Sequence, residues 1–452
     1  MHIRYSLVFL FMALAWPFVA QAHVSEGGLV LLMPTGFYTA AGLIAVVLSA
    51  VIASLLTPHL AGRIFVTLPL PLCRFFTLPK LIPVLGFTLF IGVLVGGFLG
   101  EQHPLENPMP LYVWTLLWLI MPVLQVIFGD IWSCLNPWRF PIMLLGEDQT
   151  ETSSQICWPA LFSFLAIYLF AMVDPAPDAP ARLALITLLY WAFHMGMILW
   201  RGTVWLQQGE GLTVFFTLLS RLSSFAGGRF GLPGHGLHKA VSSPVSGAIF
   251  AIAMLAAGSY DGLNETFWWL AKINVNPLAF PGRSAVVAPM VMGFFAAQIA
   301  LFSTFTLMCV VGWKLAHQPG HFRHFFAFMS MALLPIAAGY HIAHYLTSFL
   351  INGQYLMIAV SEMFHFAHDT DHAETWVTTG FLNRPGSVRI LYTIQASAIV
   401  LGHILAILLS HSFALHLCRN RKTALKSQLP LIIFMIAYTF LGLWLLASPR
   451  GV

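Results

Sequence analysis

The sequence predicts an all-α fold: a polytopic integral membrane helical bundle of about ten transmembrane helices after a cleaved signal peptide. Three observations predict it. Of 452 residues, 59% are hydrophobic and only 8% charged, where soluble domains carry roughly 25% charged residues. Apolar runs of about 20 residues recur along the chain, the length that crosses a hydrocarbon core of about 30 Å. These runs are continuous and lack the alternation of barrel strands.

The elements follow in order. Residues 1–22, "MHIRYSLVFLFMALAWPFVAQA", carry a basic start at Arg4, a short apolar core and a closing Ala-Gln-Ala. That is the pattern of a secretory signal peptide cut after Ala22. Cleavage leaves His23 as the first residue of a single membrane domain, 23–452, facing outward. Spans are expected at roughly 36–56, 81–100, 111–128, 158–173, 182–200, 244–260, 284–312, 326–352, 390–416 and 429–447. With the N-terminus outside, inner connections hold about fourteen Lys and Arg and outer ones about six, as the positive-inside rule requires. The five cysteines fall at or near the inner side, which predicts neither a disulfide nor a Cys-based zinc site. The net charge of +5 then reflects topology and anionic lipid rather than nucleic acid. In the long connection 201–243, "LTVFFTLLSRLSSFAGGRFG" reads as an interfacial helix with Arg221 on its polar face.

Ionisable groups inside a bilayer are costly and mark candidate sites. His194, His341, His344 and His403 fall in one layer, roughly 12 to 20 Å from the outer face at about 1.5 Å per residue. His411 lies deeper. His341 and His344, three apart, share a helix face. With His403 they make three imidazoles, the ligand number of an open catalytic metal site that suits zinc, copper or iron. The alternative is that each imidazole bonds a neighbouring carbonyl or hydroxyl. The same set is also compatible with haem ligation, or with a proton relay in a transporter.

A second concentration is "EMFHFAHDTDHAETW", Glu362 to Trp376, in an outer connection. As a helix it would set His365, His368 and His372 within about 60° of one another, beside Asp369 and, a turn earlier, Glu362. This stretch is a candidate metal-loading site or lid, against the alternative of a solvated loop. His23, with its free α-amine, is a further candidate copper ligand on the same side. Asn136 and Arg139, in "GDIWSCLNPWRF", mark an inner helix end. The sequence holds no phosphate-binding glycine loop, no G-x-S-x-G and no H-E-x-x-H.

"LNPWR" (Leu135 to Arg139), "YDGL" (Tyr260 to Leu263), "GYHIAHY" (Gly339 to Tyr345) with "NGQ" (Asn352 to Gln354), and "GHILAILLSH" (Gly402 to His411) occur in that order. On these motifs the chain resembles the bacterial fenitrothion hydrolase-like polytopic membrane proteins. The resemblance implies hydrolysis of an organophosphorus triester, with release of a substituted phenol. The substrate would be an apolar small molecule drawn from the bilayer. The matching positions are Asn136, Arg139, Asp261, His344, His403 and His411. The resemblance assigns no catalytic residue; from the residues themselves, Asp261 or a carboxylate of the Glu362–Trp376 stretch is the expected base, acting with a divalent metal held by His341, His344 and His403. The chain departs from its relatives at "SEMFHFAHDTDHAE", where they often carry a Ser-Asp-Pro-type loop. The implied location is the bacterial cytoplasmic (inner) membrane. The sequence identifies no partner subunit.

Overall fold

The computed structural model describes residues 30, 33–57, 60, 63–69, 81–146, 158–225, 228–239, 245–276, 282–363, 377–418 and 420–450. The signal peptide, His23 and the stretch His365, His368, Asp369 and His372 lie outside the described residues. Glu362 falls in the last turns of a helix.

Apolar runs with no water to satisfy their backbone must close their hydrogen bonds internally, and helices do so. The chain accordingly folds as α1 (Thr35–Leu55), α2 (Leu81–Leu99), α3 (Pro108–Phe128), α4 (Trp158–Val173), α5 (Pro180–Arg201), α6 (Gly211–Ser220), α7 (Val245–Asn264), α8 (Arg283–Leu315), α9 (Phe322–Met331), α10 (Leu334–Met363), α11 (Pro385–Leu417) and α12 (Arg421–Ala447). Among the described residues nine helical spans are long and apolar enough to cross a membrane, α9 and α10 counting as one. The tenth expected span is α4. Its 16 residues give about 24 Å at 1.5 Å per residue, short of a full crossing. The strand content among the described residues is a two-residue pair, Leu68–Pro69 with Arg229–Phe230.

The bundle is layered by burial. The α9–α10 span is 89% buried over its most apolar stretch and forms the centre, whereas α1, α5 and α8 are 22% buried and form the lipid-facing rim. The centre is closed by a reciprocal glycine contact between α10 and α11. A Cβ on Gly402 would stand 2.6 Å from the Pro335 carbonyl oxygen, and one on Gly339 would overlap that of Ala398. Small residues at such a crossing let two backbones touch, which is how membrane helices gain dispersion energy where lipid is as apolar as the side chains.

Two expectations are corrected. The segment after Gly211 is not an interfacial helix. An interfacial helix keeps one face towards water or headgroups, and this one does not. Seven of its side chains from Thr213 to Ser220 are buried, among α3 and α4, and Arg221 falls beyond its end. The last helix starts at Arg421 rather than near 429. Asn420 caps it by accepting the Thr423 N–H at 2.9 Å, and Arg421 donates to the Ser54 carbonyl at the end of α1, covering a terminal carbonyl.

The loop between α4 and α5 is pinned by charge. Arg182 Nη2 stands 2.7 Å from Asp174 Oδ2, and the Ala176 N–H donates to Oδ1 at 2.9 Å. Burial pushes the Asp174 carboxyl up, but these bonds outweigh it and hold it below the usual carboxylate range. A depressed value means that this anchoring is complete above the unfolded value and is lost as pH falls through the folded one. The difference in melting temperature between the wild type and Arg182→Ala therefore narrows as pH is lowered from about 7 towards about 3.

Candidate functional site

The site begins with an irregularity in α3. Residues Leu111–Ile120 form a π-helix, in which the Met121 N–H reaches back to the Leu116 carbonyl. Pro122 follows. Proline has no N–H to donate back along the helix. The carbonyl of Trp118 accepts from His341 Nε2 of α10 at 2.8 Å. His341 is thus committed to a backbone oxygen of another helix.

One turn on, His344 Nε2 stands 3.1 Å from Asp261 Oδ2 of α7. The Tyr345 hydroxyl donates to the same oxygen at 2.5 Å. His344 is 4% and Asp261 16% exposed, so a carboxylate, an imidazole and a phenol meet inside the bundle. With Asp261 ionised, Nε2 of His344 carries the proton and Nδ1 holds the lone pair. Nδ1 is buried with no hydrogen-bond partner among the described residues. The Tyr340 ring stacks on the imidazole at 5.8 Å and 11°. A cavity of about 20 Å³ adjoins these groups, lined by Tyr168, Phe215, Met254, Tyr340, His341, His344 and Tyr345. That volume holds about one water. A carboxylate fixes the imidazole, and the ring borders the small cavity, an arrangement that can support general-base chemistry.

The structure does not assemble the expected metal site. His403 is 1% exposed, and its Nδ1 donates to the Ile399 carbonyl of its own helix at 2.8 Å. With His341 committed to Trp118 and His344 to Asp261, each of the three imidazoles has one nitrogen spent on a different partner. Among the described residues no three His, Cys, Asp or Glu side chains form a group able to hold a metal. The residues therefore do not fit a three-histidine centre. His411 pairs with Gln428 Oε1 at 3.1 Å. Asn136 turns back onto the Trp132 carbonyl at 3.2 Å, and its own carbonyl accepts the Arg139 N–H at 3.1 Å. Both residues thus end one helical turn and begin the next. Asp261 lies against His344 Nε2, where a carboxylate orients the imidazole.

His194 belongs to a separate network that the sequence does not announce. The Trp205 indole N–H donates to its Nδ1 at 3.0 Å. Since indole only donates, neutral His194 carries its proton on Nε2, 3.5 Å from Ser163 Oγ. Ser163 also bonds the Tyr190 hydroxyl at 3.0 Å, and Tyr190 donates to Glu210. Glu210, 0% exposed, caps α6 by accepting the N–H groups of Leu212 and Thr213 at 2.9 and 2.6 Å. A carboxylate at a helix N-terminus is favoured by the unsatisfied N–H groups and the dipole. The signal was a single acid between glycines, "GEG", ahead of an apolar run. Glu210→Ala strands the Leu212 and Thr213 N–H groups and leaves the Tyr190 hydroxyl only Ser163, at about 1–3 kcal/mol per buried group left unpaired. Its melting temperature falls well below that of Glu210→Gln, which keeps one acceptor; a thermal melt of the detergent-solubilised protein checks this.

Fold and site define the class: a polytopic helical membrane protein with a buried carboxylate–imidazole–phenol centre. Comparison of the chain with protein-family models, with curated proteins and with solved structures gives no match.

Proposed function

We propose that this chain is an integral membrane hydrolase of apolar organophosphorus triesters, working by general-base catalysis at His344. The observation that carries the reading is the His344–Asp261–Tyr345 contact beside a water-sized cavity. The resemblance of its motifs to fenitrothion hydrolase-like proteins supplies the substrate class. In this reading His344 Nδ1 takes a proton from water as its oxygen bonds to phosphorus. The bond from phosphorus to the aryloxy oxygen breaks, and the imidazolium returns the proton to the departing phenolate. Asp261 stabilises the imidazolium and holds its ring, and Tyr345 holds Asp261. The cavity admits water but not a triester, so Met254 or Tyr340 must swing aside to admit the phosphorus. We place the chain in the bacterial cytoplasmic membrane with its mature N-terminus outside, on the strength of the signal peptide and the Lys/Arg asymmetry.

The test is release of nitrophenolate from fenitrothion by purified protein in liposomes. Turnover is expected with the wild type and absent with empty liposomes. Absence of turnover in wild-type liposomes overturns the reading. Turnover lost to a chelator and restored by zinc, copper or iron instead supports a metal held by His23, Glu362, His365, His368, Asp369 and His372.

A second reading is favoured by the size of the cavity. A buried His–Asp pair beside a single water is also the equipment of a proton relay in a transporter. Acidification of dye-loaded proteoliposomes that depends on Asp261, with no ester hydrolysis, selects it.

A further inference from the structure

On the opposite face of α7 from Asp261, a cleft of about 380 Å³ opens between α7, α8 and α12. Its floor is made of small residues, Ala297 and Ala300 of α8 and Ala437 of α12, with Thr304 at the side. Ala300, Thr304 and Ala437 are exposed, so the mouth faces the surface that lies against lipid. The volume is that of a site for a drug-sized molecule. Volume alone does not distinguish a binding site from a groove filled by acyl chains.

The wall of the cleft does. Ser259 and Tyr438 both line it, are 9% and 8% exposed, and bond to each other at 2.5 Å. Two hydroxyls bring two hydrogens. One is used between them, whichever oxygen donates. The other has no acceptor among the described residues. A buried donor left unpaired costs about 1–3 kcal/mol, and a hydrocarbon chain cannot satisfy it.

We propose that this cleft binds an apolar, bilayer-soluble molecule whose polar feature is a carbonyl oxygen, accepted laterally from the membrane and held by the free hydroxyl of the Ser259–Tyr438 pair. The apolar body fills the cleft over the alanine floor, and the oxygen completes the pair. The proposal is independent of the hydrolase reading, because α7 stands between the cleft and His344.

Benzophenone is a suitable probe: it is apolar, carries one ketone oxygen, and inserts into nearby C–H bonds on irradiation. Full-length protein in liposomes is irradiated with it, and adducts are mapped by mass spectrometry. Labelling is expected to saturate and to concentrate on 256–263, 297–304 and 434–445. Ala297→Phe, which fills the cleft, abolishes the saturable component. The double variant Ser259→Ala/Tyr438→Phe keeps the cleft but weakens half-saturation about three- to tenfold, the worth of one hydrogen bond. Diphenylmethane, the same body without the oxygen, competes about equally against the wild type and the double variant. Labelling that never saturates, spreads evenly over lipid-facing helices, or is unchanged in Ala297→Phe overturns the site. Unchanged half-saturation in the double variant overturns the role of the hydroxyls.

Discussion

Asp261→Asn and His344→Gln each lower the hydrolysis of fenitrothion in liposomes by about 10²- to 10⁴-fold, the contribution of a positioned general base. The two effects do not multiply. Once His344 is gone, Asp261 has no imidazole to orient, so the double variant is close to the worse single one. Tyr345→Phe removes the 2.5 Å donor to Asp261 but leaves the His344–Asp261 contact. Its loss is smaller, and it moves the pH profile of turnover rather than setting a new ceiling. His403→Ala separates this site from the three-histidine site. If the base is His344 alone, the variant keeps wild-type turnover per folded molecule. A hundredfold loss there, with Asp261→Asn still active, would restore the three-histidine site and sink the one argued from the contacts.

The sequence carries the helices but not how they are rotated against one another. Helix positions came through, because an apolar run of sufficient length has one stable form in a bilayer. The second span, expected at 81–100, is Leu81–Leu99. The candidate residues also came through as types: Asp261 and His344 stand out as ionisable groups in apolar surroundings. Their pairing did not. It depends on how α7 and α10 are rotated against one another, which span length leaves open. The three-histidine grouping is absent among the described residues, because His341, His344 and His403 turn to different neighbours: the Trp118 carbonyl, Asp261 and the Ile399 carbonyl. Nothing in the string says which neighbour each ring takes. Glu210 was missed because a lone acid between glycines in a predicted connection reads as solvated, whereas α6 carries its N-terminus into the bundle. The stretch Glu362 to Trp376 is marked by its charge density and by the spacing of His365, His368 and His372, and from residue 364 it lies outside the described residues. The described site instead uses a few polar groups that pair across helices.

Gly339→Val and Gly402→Val are expected to do more damage than any change to the site, and to do it through folding. Each glycine faces a backbone carbonyl of the other helix, Gly339 that of Ala398 and Gly402 that of Pro335. A side chain there meets backbone, which cannot rotate away as a flexible side chain would. Overpacking a well-filled core costs about 1–3 kcal/mol when side chains can yield, and here the two helices must separate instead. Such a separation also opens the contacts that α10 makes along its length, and His341, His344 and Tyr345 begin within two residues of Gly339. Both variants should therefore give a low yield of monodisperse protein, a lowered melting temperature and, in what survives, reduced turnover. Gly353→Val is the control. It lies on the same helix, with Phe349 as its nearest neighbour at 4.0 Å, and should melt with the wild type. Fluorescence-detected gel filtration and thermal melts of the three variants in one detergent decide the matter. A Gly339→Val protein that melts with the wild type would mean that α10 and α11 do not cross at this point, and the rotation that brings His344 to Asp261 would lose its support with it.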